Sequence, residues 1–159
     1  MSEIREVKAG SMMPAINNLL KEGRGVRITV TGNSMYPFLR DKKDCVELYK
    51  TSFDRVKAGD IILVQRKEGG YVLHRVLLKL KKSVYILGDA QKRLEGPIYS
   101  NQILAKAETI FRGDKRIAGD SRLIRMLSLL WAFALPFRGI IMKSYRRFRN
   151  WQLKARSIM

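Results

Sequence analysis

Cysteine and histidine are nearly absent from this chain, with one of each in 159 residues. A lone Cys45 excludes an internal disulfide framework, and Cys45 with His74 is too few for a His/Cys zinc cluster. Acids are scarce too, 14 against 32 Lys and Arg, a formal net charge of +18. A surplus of that size points to an anionic partner, a nucleic acid or the phosphate face of a membrane. No uncharged run reaches the roughly 20 helical residues that cross a hydrocarbon core. The opening MSEIREVKAG is charged and lacks the apolar segment of a cleavable secretory signal. What is present is 46% apolar and 29% charged residue, enough for a packed core at about the size of one domain.

The charge is uneven. Residues 122–159 carry nine basic side chains and no acid, so a quarter of the chain holds half the net charge. The shift follows the turn signal Gly119-Asp120-Ser121 and marks a boundary. It divides the chain into an N-terminal helix (1–25), a body (26–121) and a basic apolar segment (122–159). Within the last, 126–137 (MLSLLWAFALPF) is uncharged and resumes after Arg138 as far as Met142. Pro136 would kink a helix there, basic residues flank both ends, and Trp131, Tyr145 and Trp151 suit the headgroup level. The preferred reading is an interfacial or re-entrant anchor on an anionic membrane surface through 122–151. The alternatives are a short tilted span and a helix packed on the protein's own core. Charge on both flanks gives no positive-inside asymmetry.

Residues 12–22 space Met12, Ile16, Leu19 and Leu20 as a helical stripe, with Ser11 as N-cap and Gly23 as stop. From Val26 the period falls to two, and strands are expected at 26–30, 45–49, 61–65, 71–78, 83–87 and 102–111. The 61–65 and 71–78 pair reads as a hairpin across Arg66–Gly70. The body is thus a compact antiparallel β unit.

Ser34 follows a strand and a Gly-Asn turn in Gly32-Asn33-Ser34-Met35-Tyr36-Pro37. A nucleophilic serine needs a sharp turn that exposes its oxygen and leaves backbone N–H groups for an oxyanion. On its own such a serine is an ordinary turn residue. His74 lies in the strand YVLHRVLL and is the sole side chain whose ordinary pKa suits proton transfer near neutrality. On its own it is a half-buried strand histidine. Asp89, after Gly88 at the end of the next strand, is placed by the hairpin roughly opposite His74 and can orient the imidazole.

Taken in order, Gly32-Asn33-Ser34-Met35-Tyr36-Pro37-Phe38-Leu39, Gly59-Asp60-Ile61-Ile62, His74-Arg75-Val76 and Gly88-Asp89 resemble the boxes of the S24/S26 serine peptidases, and among them type I signal peptidase. The resemblance covers 26–111. It implies a peptidase body of coiled antiparallel sheets, and with the residues' own reading the fold expected is mainly β with a short N-terminal helix and a basic, apolar C-terminal helical segment. It implies a serine endopeptidase with Ser34 as nucleophile. His74 falls where the bacterial enzymes and self-cleaving repressors have a lysine, the pattern of the archaeal and endoplasmic-reticulum type. Asp89 and Glu95 compete for the third role, Asp89 being slightly favoured because Glu95 precedes the flexible Gly96-Pro97. Backbone N–H groups at Gly32, Asn33 and Met35 would hold the oxyanion, and no metal or organic cofactor is required. The partners implied are a peptide or preprotein substrate and the membrane surface.

The sequence departs from the family at Ala90-Gln91, where two asparagines are usual, and at Lys106, where glycine is common. It also lacks the usual N-terminal span, for which the 122–151 segment is the candidate replacement. Ser11-Met12-Met13-Pro14 repeats the Ser-Met-x-Pro spelling but follows no strand and reads as a helix start. Lys79, Lys81 and Lys82 read as solvated turn charges. Two other functions compete: a self-cleaving or degenerate repressor-type regulator, and a basic nucleic-acid-binding β module. Residues 1–25 are too short for a helix-turn-helix domain, and charge alone gives only non-specific nucleic-acid affinity.

Overall fold

The computed structural model describes residues 9–119 together with Ser121, Met126 and Leu130. The anchor reading of 122–159 therefore falls outside the described residues, apart from those last two. The body is mainly antiparallel β with one short N-terminal helix. In order it comprises α1 (Ala9–Lys21), β1 (Val26–Thr29), β2 (Asp44–Lys50), β3 (Ile61–Gln65), β4 (Tyr71–Lys79), β5 (Ser83–Leu87), β6 (Glu95–Tyr99), β7 (Ile103–Arg112) and β8 (Lys115–Ala118). The strands form one sheet in the order β1-β2-β7-β3-β4-β5-β6, with β8 paired to β7. All its pairings are antiparallel. Among the described residues no helix is long and apolar enough to cross a membrane.

The helix ends as its sequence requires. Gly23, at φ +77°, takes the left-handed conformation. Its N–H reaches Leu20 O while Arg24 N–H reaches Leu19 O, a Schellman closure. Its start differs from expectation, because α1 begins before Ser11, which lies inside it rather than at its cap. The buried stripe is also rotated by one position. Met13, Ile16 and Leu20 are buried and Met12 is exposed.

Two cores lie on opposite faces of β3, whose residues Ile61 to Val64 are all buried. Ile61 and Leu63 join the helix side chains, Val46, Leu48, Met35 and Leu39 in one cluster. Ile62 and Val64 join Val76, Val84, Ile86 and Ile98 in the other. An apolar run without alternation is the signature of a strand covered on both faces. The β3–β4 hairpin forms as its spacing indicates, with Ile62 opposite His74. Two strands were not anticipated. β6 contains Gly96-Pro97, which reads as a breaker, yet β6 is the sheet's edge, where a missing N–H is tolerated. β8 is short and mostly exposed, so it carries no apolar alternation to read.

The loop from β1 to β2 is closed at its base by a buried carboxylate. Asp44 is fully buried and accepts from the Arg40 backbone N–H at 2.9 Å and from Arg40 Nη2 at 2.7 Å, with Arg112 Nη2 at 3.5 Å. Burial alone would raise the Asp44 carboxyl, but the Arg40 hydrogen bonds and the Arg112 charge outweigh it and hold it below the usual range. Asp44→Ala leaves those donors without their acceptor and is expected to cost about 2–3 kcal/mol. Urea denaturation measures it, and a variant as stable as the parent would show that the loop does not depend on this closure.

Candidate active site

Ser34 sits on the β1–β2 loop. The loop leaves the ladder after Val30, which donates to Asp44 O and accepts from Lys42 N–H. Gly32 turns the chain at φ +84°, a conformation that disfavours side chains. Beyond it, Tyr36 N–H bonds Asn33 O and Leu39 N–H bonds Met35 O. Met35 and Leu39 are buried at 1% and 0% exposure, which pins the turn to the helix-side core. Ser34, between these anchors, is half-buried at the loop's lip. Its carbonyl accepts the Ala90 N–H at 2.8 Å.

The three backbone N–H groups at Asn33, Ser34 and Met35 have no acceptor among the described residues. Successive free N–H groups of this kind can hold a developing oxyanion. Gly32 does not join them, contrary to expectation, because its N–H donates to Asp41 Oδ1 at 2.8 Å.

His74 and Arg75 are consecutive on β4 and therefore point to opposite faces. Arg75 turns toward the helix-side core. Its Nε and Nη2 donate to Asp89 Oδ1 and Oδ2 at 2.9 and 2.8 Å, and its Nη1 donates to Gly59 O at 2.8 Å. Its guanidinium lies 5.1 Å from the centre of the Phe38 ring. Arg75 and Asp89 are both buried. This residue thus ties together the Ser34 loop, the turn before β3 and the turn after β5.

His74 turns to the other face. It is 2% exposed, pairs with Ile62, and its Nδ1 is buried without a hydrogen bond. The carboxylate beside it is Glu95, with Oε2 3.8 Å from Nδ1. Register explains this. Val76 lies opposite Ile86, and Ile86 lies opposite Glu95, so Glu95 shares the face of Val76 and His74. Asp89 follows Leu87 by two positions, Leu87 pairs with Arg75, and Asp89 accordingly meets Arg75. Of the two competing acids, strand parity sets Glu95 beside His74 and Asp89 on Arg75, and Gly96-Pro97 is part of a strand rather than a flexible link.

Glu95 is held in turn by Arg66. Nε and Nη2 donate to its two carboxylate oxygens, both at 2.7 Å. These bonds hold the Glu95 carboxyl below its ordinary range. Burial pushes the His74 pKa below 6.5, with Glu95 and Asp89 opposing and Arg66 assisting, so the ring is neutral at neutral pH. Neither arginine role was legible in the sequence. Arg75 lies within the His74-Arg75-Val76 motif, where nothing local points to its partner 14 positions away, and Arg66 is 29 positions from Glu95.

No direct hydrogen bond joins the Ser34 hydroxyl to His74. What lies between them is Gly88. Continuing the Arg75–Leu87 register by one residue sets Gly88 beside His74, and a Cβ there would meet Ser34 O at 2.7 Å. The serine loop therefore occupies the space a side chain at 88 would take. Lys79 is not the solvated charge expected. Its Nζ donates to Phe53 O, Asp54 O and Val56 O at 2.8–3.1 Å, closing a short 3-10 turn. Lys81 and Lys82 are exposed. Among the described residues no three His, Cys, Asp or Glu side chains converge as a metal site.

Two predictions follow from this geometry. Gly88→Ala pushes on the Ser34 backbone, and because Met35 and Leu39 pin that loop to the helix-side core it should lower the thermal midpoint as well as slow any reaction at Ser34 about 10–100-fold. His74 binds its proton less readily folded than unfolded, so its stabilising contribution is complete above pH 6.5 and declines as pH falls below that value. Denaturation midpoints between pH 7.5 and 5.5 should show this decline, and His74→Gln should flatten it. An unchanged slope in that variant would mean the titration belongs to another group.

No protein-family model matches the chain, and no curated protein matches it significantly.

Proposed function

We propose that the chain is a serine endopeptidase resembling type I signal peptidase, built on an S24/S26-like β body. The reading is supported by the Ser34 turn docking on Gly88–Ala90, at the end of the strand beside β4, and by a buried neutral imidazole on β4 that has a carboxylate at its Nδ1 side. A neutral histidine is the form a general base requires. In the reaction His74 takes the Ser34 proton, Ser34 Oγ attacks the scissile carbonyl, and the N–H groups of Asn33, Ser34 and Met35 hold the oxyanion. His74 then protonates the leaving amine and activates water to release the acyl group. Glu95, rather than Asp89, orients the imidazole, and Asp89 with Arg75 fixes the turn on which Ser34 rests. Catalytic hydrogen bonds are often long in unliganded sites and shorten when substrate excludes water, so the Ser34–His74 bond is expected to form only with substrate bound.

The substrate is an extended peptide or preprotein segment. The basic segment 122–151 brings the enzyme to an anionic membrane surface, giving a membrane-associated location. No specific nucleic acid is a partner.

Labelling with a serine-directed peptidase probe in membrane and soluble fractions tests activity and location together. Ser34→Ala should abolish labelling and lower the kcat/KM for a signal-peptide-like substrate by on the order of 10³-fold. His74→Ala should be nearly as damaging. Full activity in Ser34→Ala would remove the proposal. Appearance of self-cleavage fragments in the pure protein, without cleavage of added peptide, would favour the repressor-type regulator instead.

A further inference from the structure

One carboxylate stands between two donors at this site. Glu95 holds Arg66 by two 2.7 Å bonds, while the Nδ1 of His74, 3.8 Å away, is buried and unpartnered. A buried ring nitrogen without a partner is costly and uncommon. The two donors differ in surroundings. His74 is enclosed, whereas the Arg66 side chain is 42% exposed. Arg66 and Glu95 line a cavity of about 910 Å³ that runs along the loop 91–94 and the edge strand β6. That volume suits a stretch of extended peptide.

The cavity wall is positive. It carries Arg66, Lys67, Lys92 and Arg93 against Glu68 and Glu95, and Glu95 is already paired. Cations gathered in a concave wall raise the local concentration of anions and favour a carboxylate over its neutral amide. A second carboxylate entering here meets Arg66 from its exposed side. It then competes with Glu95 for the same guanidinium.

We propose that this cavity receives an acidic side chain of the substrate, and that the incoming carboxylate replaces Glu95 on Arg66 and releases Glu95 to His74 Nδ1. The proposal rests on the endopeptidase reading and names its substrate class. Glu95 needs to move only about 1 Å to reach hydrogen-bond length from Nδ1. An Nδ1–H donated to Glu95 fixes the tautomer in which Nε2 is the acceptor, the form that takes a proton from serine. Arg66 is then a positioning residue, acting through Glu95. Lys92 and Arg93, on the same wall, add to the positive charge that draws the carboxylate to Arg66.

The test uses alanine-rich ten-residue peptides carrying a single Glu, or a single Gln, moved along the positions flanking the cleaved bond. At one position Glu should exceed Gln by about tenfold in kcat/KM, mostly in kcat, in the parent protein. Arg66→Gln should erase that difference by raising the Gln peptide toward the Glu peptide. Equal rates in the parent, or a preference that survives Arg66→Gln, would overturn the proposal. Because His74 is the sole histidine, nitrogen NMR of its ring in Ser34→Ala protein gives a readout that does not need turnover. Arg66→Gln, or saturation with the Glu peptide, should shift the Nδ1 resonance to that of a hydrogen-bonded N–H and move the ring's titration upward. Active enzyme with an unmoved His74 resonance would sink this inference alone. A shifted resonance in a protein that cleaves nothing would sink the peptidase reading and keep the exchange of partners.

Discussion

Strand β4 buries two polar side chains in succession, and its alternation sends them into different cores. Each must find a partner on a different neighbouring element, because a buried ionic or polar group without one is costly. Arg75 finds Asp89, Gly59 O and the Phe38 ring, and in doing so joins three loops that share no sequence neighbourhood. His74 finds only Glu95, at a distance, because Glu95 is engaged by Arg66. The structural half of the site is thus closed and saturated, and the chemical half is left open. A buried pair such as Arg75–Asp89 is weak evidence of stability, since desolvation offsets much of the attraction. Its contribution here is register: it fixes where the turn after β5 meets the serine loop.

The strands were legible where burial is one-sided or complete. Val26, Ile28 and Val30 alternate, Asp44, Val46 and Leu48 are the buried positions of β2, and the run Ile61–Val64 marks the strand between two cores. Legibility failed at edges. β6 breaks its pattern with Gly96-Pro97, and β8 is too exposed to have one. For the same reason the acid beside His74 was not legible. Asp89 is nearer along the chain and follows a clear strand, so sequence reasoning favoured it. Which face a carboxylate occupies depends on parity across two strand pairings, including an irregular step between Val84 and Ile86. Spacing along the chain carries no trace of that. Ser34 and His74 were visible for opposite reasons: the serine from a turn whose chemistry is local, the histidine from being the only one.

The electrostatics of the site follow from the same asymmetry. Burial disfavours a charged His74, and Arg66 beside Glu95 disfavours it further, so the imidazole stays neutral while the carboxylate next to it stays ionised. Those two protonation states are the ones a base and its orienting acid require. A direct His74–Glu95 bond would raise the imidazole toward its charged form, and the Arg66 bonds hold that interaction back. The exposed face of Arg66 therefore matters more than its distance from Ser34 suggests.

The proposed base is a histidine rather than a lysine, and the lysines of β4 and β7 are already engaged elsewhere. Lys79 lies on the same strand, and its three N–H donors are all taken by carbonyls of the 53–56 turn, with the Phe53 ring 4.8 Å away. Lys106 is drawn to Glu108 at 3.2 Å. Both ammonium groups are engaged by these acceptors and are held away from the Ser34 turn's docking point on Gly88–Ala90. On β4 the side chain that combines burial, neutrality and a free ring nitrogen is His74. The serine turn is pressed against the neighbouring strand end, and the arginine on the next position ties that turn to those before β3 and after β5, which is the frame the proposed proton transfer to His74 would need.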